Sequence, residues 1–333
     1  GISLLASDST TGAVTITNND IAAYSYGIGV GLYNSEIGGD LTISGNTITA
    51  PEGTTQAFGP FGELGGTFLG IIAQGEGSTI NGNVNMENNT VDAGLAGIAF
   101  GGAKKAPPSV DLTVTGDVNI NNNTINVSNY SYNYNYSFGG GITVGAEGSS
   151  FNNVNINNNN ITVDVESSDG DAYVRGILVQ TSDTTINDLT ISGNTLNLTA
   201  QADADADVYG LYVDNEGGTV GNITISGNTL NLTSQAYSSN IEALYVYNKG
   251  GTVGNVTISG NTLNLTSQAY DYADADGIDI QQEGGTMGNI TISGNTLNLT
   301  SQAEYNADAD GIEVDNDGGT MGNITISGNT LNL

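Results

Sequence analysis

Apolar and polar residues alternate with a period of two along most of this chain, and short polar stretches separate the alternating runs. One run carries Ile223 and Ile225 on one side, the next carries Leu230 and Leu232, and a third run precedes them at 210–213. Such alternation is typical of β-strands with one buried face, and no run shows the 3.6-residue period of a helix. The pattern predicts an all-β protein with three short strands in each repeated unit.

An asparagine marks each unit in the pattern apolar-x-apolar-x-x-Asn-x-apolar. The marker residues are Asn19, Asn46, Asn89, Asn123, Asn159, Asn194, Asn228, Asn261, Asn295 and Asn329. From Asn89 onward consecutive markers are 33 to 36 residues apart. Strands with one apolar face cannot bury it within a single unit, so successive units must stack. We expect about ten coils and three parallel sheets in one domain over 1–333, with irregular longer coils over 1–190 and near-identical coils over 191–333.

The marker asparagine lies between apolar residues, where an amide without a partner would be costly. Stacked one per coil, asparagine side chains can hydrogen-bond to each other along the axis. With this column the chain resembles the right-handed parallel β-helix repeat family, the pectin-lyase-like fold with its Asn ladder, and adhesin-like surface repeat proteins. The resemblance implies a right-handed, single-stranded parallel β-helix (a β-solenoid). It carries no particular activity with it.

Composition narrows the classes of partner. The chain has 35 acidic residues against four Lys and Arg, and a net charge of −31, so nucleic acid and anionic lipid would be repelled. No run of apolar residues is long enough to cross a bilayer, which argues against membrane insertion. Cysteine is absent, so no disulfide or thiolate metal site is expected. These features fit an extracellular or cell-surface location.

Catalysis is not expected. Polysaccharide lyases that the chain resembles in fold use Arg or Lys as a base, and related hydrolases pair Asp residues with a His. This chain has no His, and its single arginine, Arg175, precedes a strand and is expected to be solvated. Near-identical coils also repeat the same groups everywhere and offer no singular constellation. A polysaccharide-active enzyme is therefore only an alternative.

Acidic turns follow the third strand in the later units. Stacking would bring Asp274 near Asp308 and Asp276 near Asp310, and carboxylates about 5 Å apart repel each other by roughly 1 kcal/mol even in water. A hard cation with oxygen ligands would relieve this repulsion, so Ca²⁺ is a candidate cofactor at these four residues. A solvated acidic edge screened by salt is the alternative.

Other outward residues suggest further partners. Threonine columns beside Asn197, Asn231, Asn264 and Asn298 resemble those of ice-binding solenoids, and the same asparagines form Asn-Leu-Thr acceptors for glycans. A loop holds alternating tyrosines, which could stack on carbohydrate or on a neighbouring rod, or fold over their own coil. These residues are Tyr130, Tyr132, Tyr134 and Tyr136.

The two ends of the array bear no pattern that would cap the terminal coils. The apolar residues at the ends are expected to be open edges that pair with another chain, and Gly1, Ile2, Leu4, Leu331 and Leu333 are the candidate contacts. We therefore expect an extracellular structural protein that stacks head-to-tail with itself into a filament, sheath or surface layer. The alternative is a fragment of a large adhesin-like stalk that binds carbohydrate or another cell. An ice-binding protein is a further alternative.

Overall fold

The computed structural model describes residues 1–24, 26–50, 69–101, 111–131 and 136–333, and all regular structure within them is β-strand. In chain order the strands are β1 (Ile2–Ser7), β2 (Thr10–Thr11), β3 (Val14–Thr17), β4 (Asp20–Ala22), β5 (Tyr26–Tyr33), β6 (Glu36–Ile37), β7 (Leu41–Ser44), β8 (Thr47–Thr49), β9 (Leu69–Glu76), β10 (Ser78–Ile80), β11 (Val84–Glu87), β12 (Thr90–Ala93), β13 (Ala96–Gly101), β14 (Leu112–Val114), β15 (Val118–Asn121), β16 (Thr124–Ser131), β17 (Tyr136–Glu147), β18 (Ser150–Asn157), β19 (Asn160–Ser167), β20 (Asp171–Ser182), β21 (Thr185–Ser192), β22 (Thr195–Ala202), β23 (Asp205–Glu216), β24 (Thr219–Ser226), β25 (Thr229–Lys249), β26 (Thr252–Val253), β27 (Val256–Ser259), β28 (Thr262–Glu283), β29 (Thr286–Met287), β30 (Ile290–Ser293), β31 (Thr296–Gln302), β32 (Asn306–Ala307), β33 (Asp310–Asn316), β34 (Thr320–Met321), β35 (Ile324–Ser327) and β36 (Thr330–Asn332). The predicted all-β class is confirmed.

Each strand pairs in parallel with the equivalent strand one coil further along, which makes the chain a parallel β-solenoid. The register aligns the repeats residue by residue, so that Leu230 pairs with Leu263, and Leu263 with Leu297. Around one coil there are four strand positions. Position one starts at β1, position two at β2, position three at β3 and position four at β4, and each continues through its paired equivalents.

The core lies inside the coils, as the alternation predicts. Inward residues such as Ile223, Ile225 and Leu230 are fully buried, whereas Thr224, between the two isoleucines, is half-buried on the outside. The buried side chains form one continuous apolar cluster along the described coils. Stacking therefore buries the apolar face of each coil against the same face of its neighbours.

Two details differ from the sequence-based expectation. Each coil has four strand positions rather than three, because a short strand such as Thr252–Val253 sits at the corner after position one and buries its valine. The strands join into two hydrogen-bonded sheets rather than three. Positions four and one merge in long strands such as Thr229–Lys249, since the turn between them is extended enough to keep pairing.

A sharp corner separates position three from position four and requires a left-handed backbone. The residue in that conformation directly precedes each marker asparagine, for example Gly227 with φ +63°. Glycine or asparagine fills this place throughout, because other side chains strain there. The full set is Asn18, Gly45, Asn88, Asn122, Asn158, Gly193, Gly227, Gly260, Gly294 and Gly328.

Candidate functional site

The ten marker asparagines lie in file along the inner corner between positions three and four. Each of the first nine donates from Nδ2 to Oδ1 of the asparagine in the next coil, over 2.9 to 3.0 Å, without interruption from Asn19 to Asn329. Each backbone N–H also donates to the same Oδ1. We call this column the inner ladder.

Every inner ladder residue away from the ends uses its full hydrogen-bonding capacity. Asn228 is 1% exposed, donates one Nδ2 hydrogen to Asn261 at 3.0 Å and the other to the carbonyl of Ile191 at 3.0 Å. Its Oδ1 accepts from the backbone and side chain of Asn194. The bonds between asparagines thus have a direction, since the backbone N–H and one Nδ2 hydrogen of each residue face the C-terminal end and its Oδ1 faces the N-terminal end.

A second buried polar column follows position one, and the sequence analysis missed it. Asn215 donates to Asn248 at 2.7 Å, and Asn248 donates to Gln282 at 2.8 Å, with all three almost fully buried. In earlier coils, small hydroxyls three places further along the register lie at the same corner, as Ser35 and Ser78 do. Asn215, Asn248 and Gln282 each stand two places after a buried apolar residue, and this alternation was the available signal.

The predicted glycan acceptors form a third column on the outside. Asn231 donates from Nδ2 to Oδ1 of Asn197 at 2.8 Å, Asn264 donates likewise to Asn231, and Asn298 to Asn264. This outer ladder runs in the opposite direction to the inner one. The Nδ2 atom to which a glycan would attach is therefore already a donor in three of these residues.

Carboxylates and tyrosines share the outward face of position one. Glu242 pairs in register with Tyr209 on one side and Asp276 on the other, and Asp276 pairs with Asp310. Burial raises the pKa of Asp276 to about 7, with Asp274 and Asp310 adding to the shift. Burial also raises the pKa of Glu242 to about 7, with help from neighbouring acids. These carboxyls are crowded, and no cationic side chain among the described residues offsets their burial.

The same causes act on the neighbouring acids. Burial raises the pKa of both Asp207 and Asp279 to about 6, and it raises the pKa of Asp274 as well. One oxygen of Asp274 and one of Asp279 are buried without a hydrogen bond to any described residue. This face therefore favours protonation or a counter-ion over free carboxylates.

The four proposed calcium ligands lie on and beside this face. Asp276 and Asp310 are register neighbours, and Asp308 lies beside Asp274, since its backbone N–H donates to the carbonyl of Ala273 at 2.9 Å. Within the described part of the chain, no three or more acidic, His or Cys side chains converge in a way that could hold a metal ion. The acids form columns rather than a cage.

The remaining sequence candidates are dispersed. Arg175 is exposed, with its guanidinium carbon 5.6 Å from the ring centroid of Phe138 and 5.8 Å from that of Tyr209. Tyr130 is 37% exposed, and Tyr136 is placed in β17 by its backbone alone. Tyr132 and Tyr134 lie outside the described residues.

An exposed tyrosine column was also missed. Tyr237, Tyr270 and Tyr305 come from three consecutive coils and stack at the turn between positions four and one, with adjacent centroids 5.5 and 5.6 Å apart. They are 50%, 49% and 67% exposed. A tyrosine soon after the repeated Ser-Gln-Ala in each coil was the available signal.

The two end coils differ sharply from the coils between them. Ile324 and Ile326 are 48% and 51% exposed, while their register partners Ile290 and Ile292 are fully buried. Among the predicted end contacts, Leu331 and Leu333 are 42% and 68% exposed, Ile2 and Leu4 are partly buried, and Gly1 is exposed. The ends present apolar surface that interior coils cover.

Comparison of the chain with protein-family models, curated proteins and solved structures gave no match. The described residues contain no helix that is long and apolar enough to cross a membrane. The fold and these columns therefore carry the functional argument alone.

Proposed function

We propose that this chain is a non-enzymatic structural β-solenoid, placed outside the cell or on its surface, whose end coils stack on other β-solenoid coils. In its simplest form the next coil comes from a second copy, and copies join head-to-tail into a filament, sheath or surface layer. The observation that carries this proposal is the exposure of Ile324 and Ile326, whose register partners in the preceding coil, Ile290 and Ile292, are fully buried.

The inner ladder supports the same contact. At one end, Asn329 accepts from Asn295 and donates to the carbonyl of Ile292, and no described residue lies beyond it to receive its backbone N–H. At the other end, Oδ1 of Asn19 accepts no hydrogen bond from a described residue, although its amide donates to Asn46. A head-to-tail junction would place the donors of Asn329 against that acceptor.

The free energies of burial and association show which interactions must act at the junction. Covering the four exposed aliphatic side chains of the last coil is worth roughly 3–6 kcal/mol, taking about half of the 1.5–3 kcal/mol for full burial of each. Association costs about 4–15 kcal/mol, so this contact alone would not hold two copies together. The apolar residues of the opposite end and the continued hydrogen bonds, at about 0.5–1.5 kcal/mol each, must supply the difference.

The finer family relationship is part of the proposal. The parallel coils and the inner ladder support placement with the right-handed parallel β-helix repeat proteins, and an adhesin-like stalk is the second form of the same structural role. In a stalk, the next coil would belong to the same chain. Regular columns in place of a singular constellation support a non-catalytic role.

Calcium enters the proposal as a counter-ion of the acidic face rather than as a caged cofactor. The crowded carboxylates of Asp276 and Asp310 favour divalent cations through charge alone. We expect Ca²⁺ and Mg²⁺ to raise the melting temperature equally at matched ionic strength. An increase specific to Ca²⁺ and reversed by a chelator would contradict this reading and indicate a coordinated site.

A charge placed on the exposed column tests the stacking. Ile326→Asp puts a carboxylate on the apolar end, whereas Thr325→Asp puts the same charge on the outward face of the same strand. We expect the wild-type chain and Thr325→Asp to lengthen with concentration in sedimentation velocity and to form fibres in electron micrographs, and Ile326→Asp to remain monomeric. A wild-type protein that stays a monomer at all concentrations would refute stacking between copies. An intact mass of the native protein far above that of this chain would favour the stalk.

A further inference from the structure

The exposed tyrosine column is held by the sheet on both sides of it. Immediately before the first two rings, Ala236 pairs with Ala269, and after them Ser238 pairs with Tyr272 across a shift of one residue in the register. The ring planes of Tyr237 and Tyr270 are inclined by 33°, and those of Tyr270 and Tyr305 by 71°. The backbone ladder thus keeps three phenol rings from separate repeats in contact at the surface.

These rings are also among the most exposed side chains that an oxidant could attack. The chain has no Cys, no Trp and only three Met. Met86 and Met287 are 0% and 1% exposed, and Met321 is partly buried. Thiols and thioethers normally take up oxidising equivalents, so their absence or burial leaves exposed phenols as the accessible reductants.

We propose that the column Tyr237–Tyr270–Tyr305 is an oxidative cross-linking site, at which neighbouring rings join as dityrosine. The co-reactant is a peroxide used by a one-electron oxidant of the peroxidase class. Each of two adjacent phenols loses one electron and one proton, and the two radicals join through ring carbons ortho to the hydroxyls. The two ring protons displaced at the new bond restore aromaticity as they move to the oxygens.

The atoms and electrons of this coupling step balance. Each link removes two hydrogen atoms from the protein, and one peroxide molecule accepts them and becomes two molecules of water. Proximity favours coupling within the column over coupling between molecules, because the rings are already in contact and need no encounter. Tyr270, in the middle, can join either neighbour.

The consequence is a covalent staple between consecutive coils. A link from Tyr237 to Tyr270 closes a loop of one coil along the outside of the solenoid, and a link from Tyr270 to Tyr305 closes the next. Such closure restricts the unfolded chain and resists separation of the coils. The inference does not depend on assembly between copies, since all three rings belong to one chain.

Treatment of the purified protein with hydrogen peroxide and a peroxidase tests the site. We expect dityrosine fluorescence, a monomer whose intact mass has fallen by two hydrogen atoms per link, and cross-linked peptides joining Tyr270 to Tyr237 or Tyr305 after cleavage at acidic residues. The oxidised monomer should also melt at a higher temperature than the untreated one.

Two phenylalanine variants provide the controls. Tyr270→Phe should eliminate both peptide pairs, while Tyr24→Phe, at a tyrosine that is 69% exposed and far along the chain, should leave them unchanged. Circular dichroism checks that each variant keeps its strands. The proposal is overturned if the tyrosines of the column stay unlinked, if links form only between molecules, or if Tyr270→Phe retains the same intrachain dityrosine. An unchanged melting temperature after linking would overturn the stapling role.

Discussion

Truncation of one inner ladder residue, Asn261→Ala, isolates the energetic contribution of the asparagine column. In the wild type, Asn261 accepts two hydrogen bonds from Asn228, donates one to Asn295 and donates another to the carbonyl of Ile225. The variant removes all four but leaves the backbone N–H of residue 261 bonded to Asn295. The heaviest loss falls on Asn228, whose two donors face the gap while it is only 1% exposed.

The expected cost follows from those two donors. Each buried donor left without a partner costs about 1–3 kcal/mol, so the two together cost about 2–6 kcal/mol. The control is Asn19→Ala at the other end of the ladder, because this half-buried asparagine only donates through its side chain and its truncation leaves no buried donor unpaired. We expect that control to lose about 1 kcal/mol.

Urea denaturation followed by far-ultraviolet circular dichroism measures the difference, with hydrogen exchange as a local probe because long repeat arrays can unfold in parts. Faster amide exchange should centre on the coils that contain Asn228 and Asn261. A loss at Asn261 that is within about 0.5 kcal/mol of the loss at Asn19 would refute the argument that unpaired buried donors give the ladder its importance.

Three further predictions concern the acidic face, the core and the corners. Folding raises the pKa of Asp276 and Glu242 to about 7, above their values in the unfolded chain, so the folded state binds more protons between about pH 4 and pH 7 and its stability falls as pH rises through that window. Asp276→Asn should therefore add about 1 kcal/mol at pH 8, after allowance for solvent screening, and nothing at pH 4, whereas Asn at the exposed Asp203 should change neither melting curve. Leu297→Ala should cost about 2–5 kcal/mol in the same urea assay, and Leu331→Ala, its register partner in the end coil, about 1 kcal/mol; equal losses would contradict the exposure of the last coil. Gly227→Ala should cost about 1–2 kcal/mol because its φ is +63°, and Gly227→Asn should cost clearly less, since asparagine fills the same place at Asn158; the reverse order of melting temperatures would count against this.

The architecture followed from the sequence because two independent periods agree. Alternation with a period of two defines strands with one apolar face, and a repeat of 33 to 36 residues brings equivalent faces into register. The inner ladder was visible because one residue type recurs at one place. Each of these signals can be recognised in the sequence even when the lengths of the turns are unknown.

What was missed depends on turns or on changing residue types. The strand Thr252–Val253 has only two residues, too few for alternation to be recognised. The second buried column uses Thr, Asn and Gln in turn, at Thr181, Asn215, Asn248 and Gln282, so no single residue type marks it. The tyrosine column joins residues from three coils, and its marking in the sequence is irregular because Tyr237 and Tyr270 directly follow Ser-Gln-Ala whereas Tyr305 follows one residue later. Structural role, location and partners stay predictions, since the geometry of a regular solenoid supports several of them.

The direction of the inner ladder limits which contacts its ends can make. If two copies met through their C-terminal ends, the unpaired donors of Asn329 would face each other, and two N-terminal ends would bring the acceptors of Asn19 together. Donor against donor leaves buried polar groups unpaired, at about 1–3 kcal/mol for each group. A two-fold dimer through either end is therefore disfavoured relative to a head-to-tail contact, in which donors meet acceptors. If copies stack head-to-tail through these coils as proposed, each addition leaves the same two surfaces free, so the proposal predicts a series of lengths instead of a single dimer.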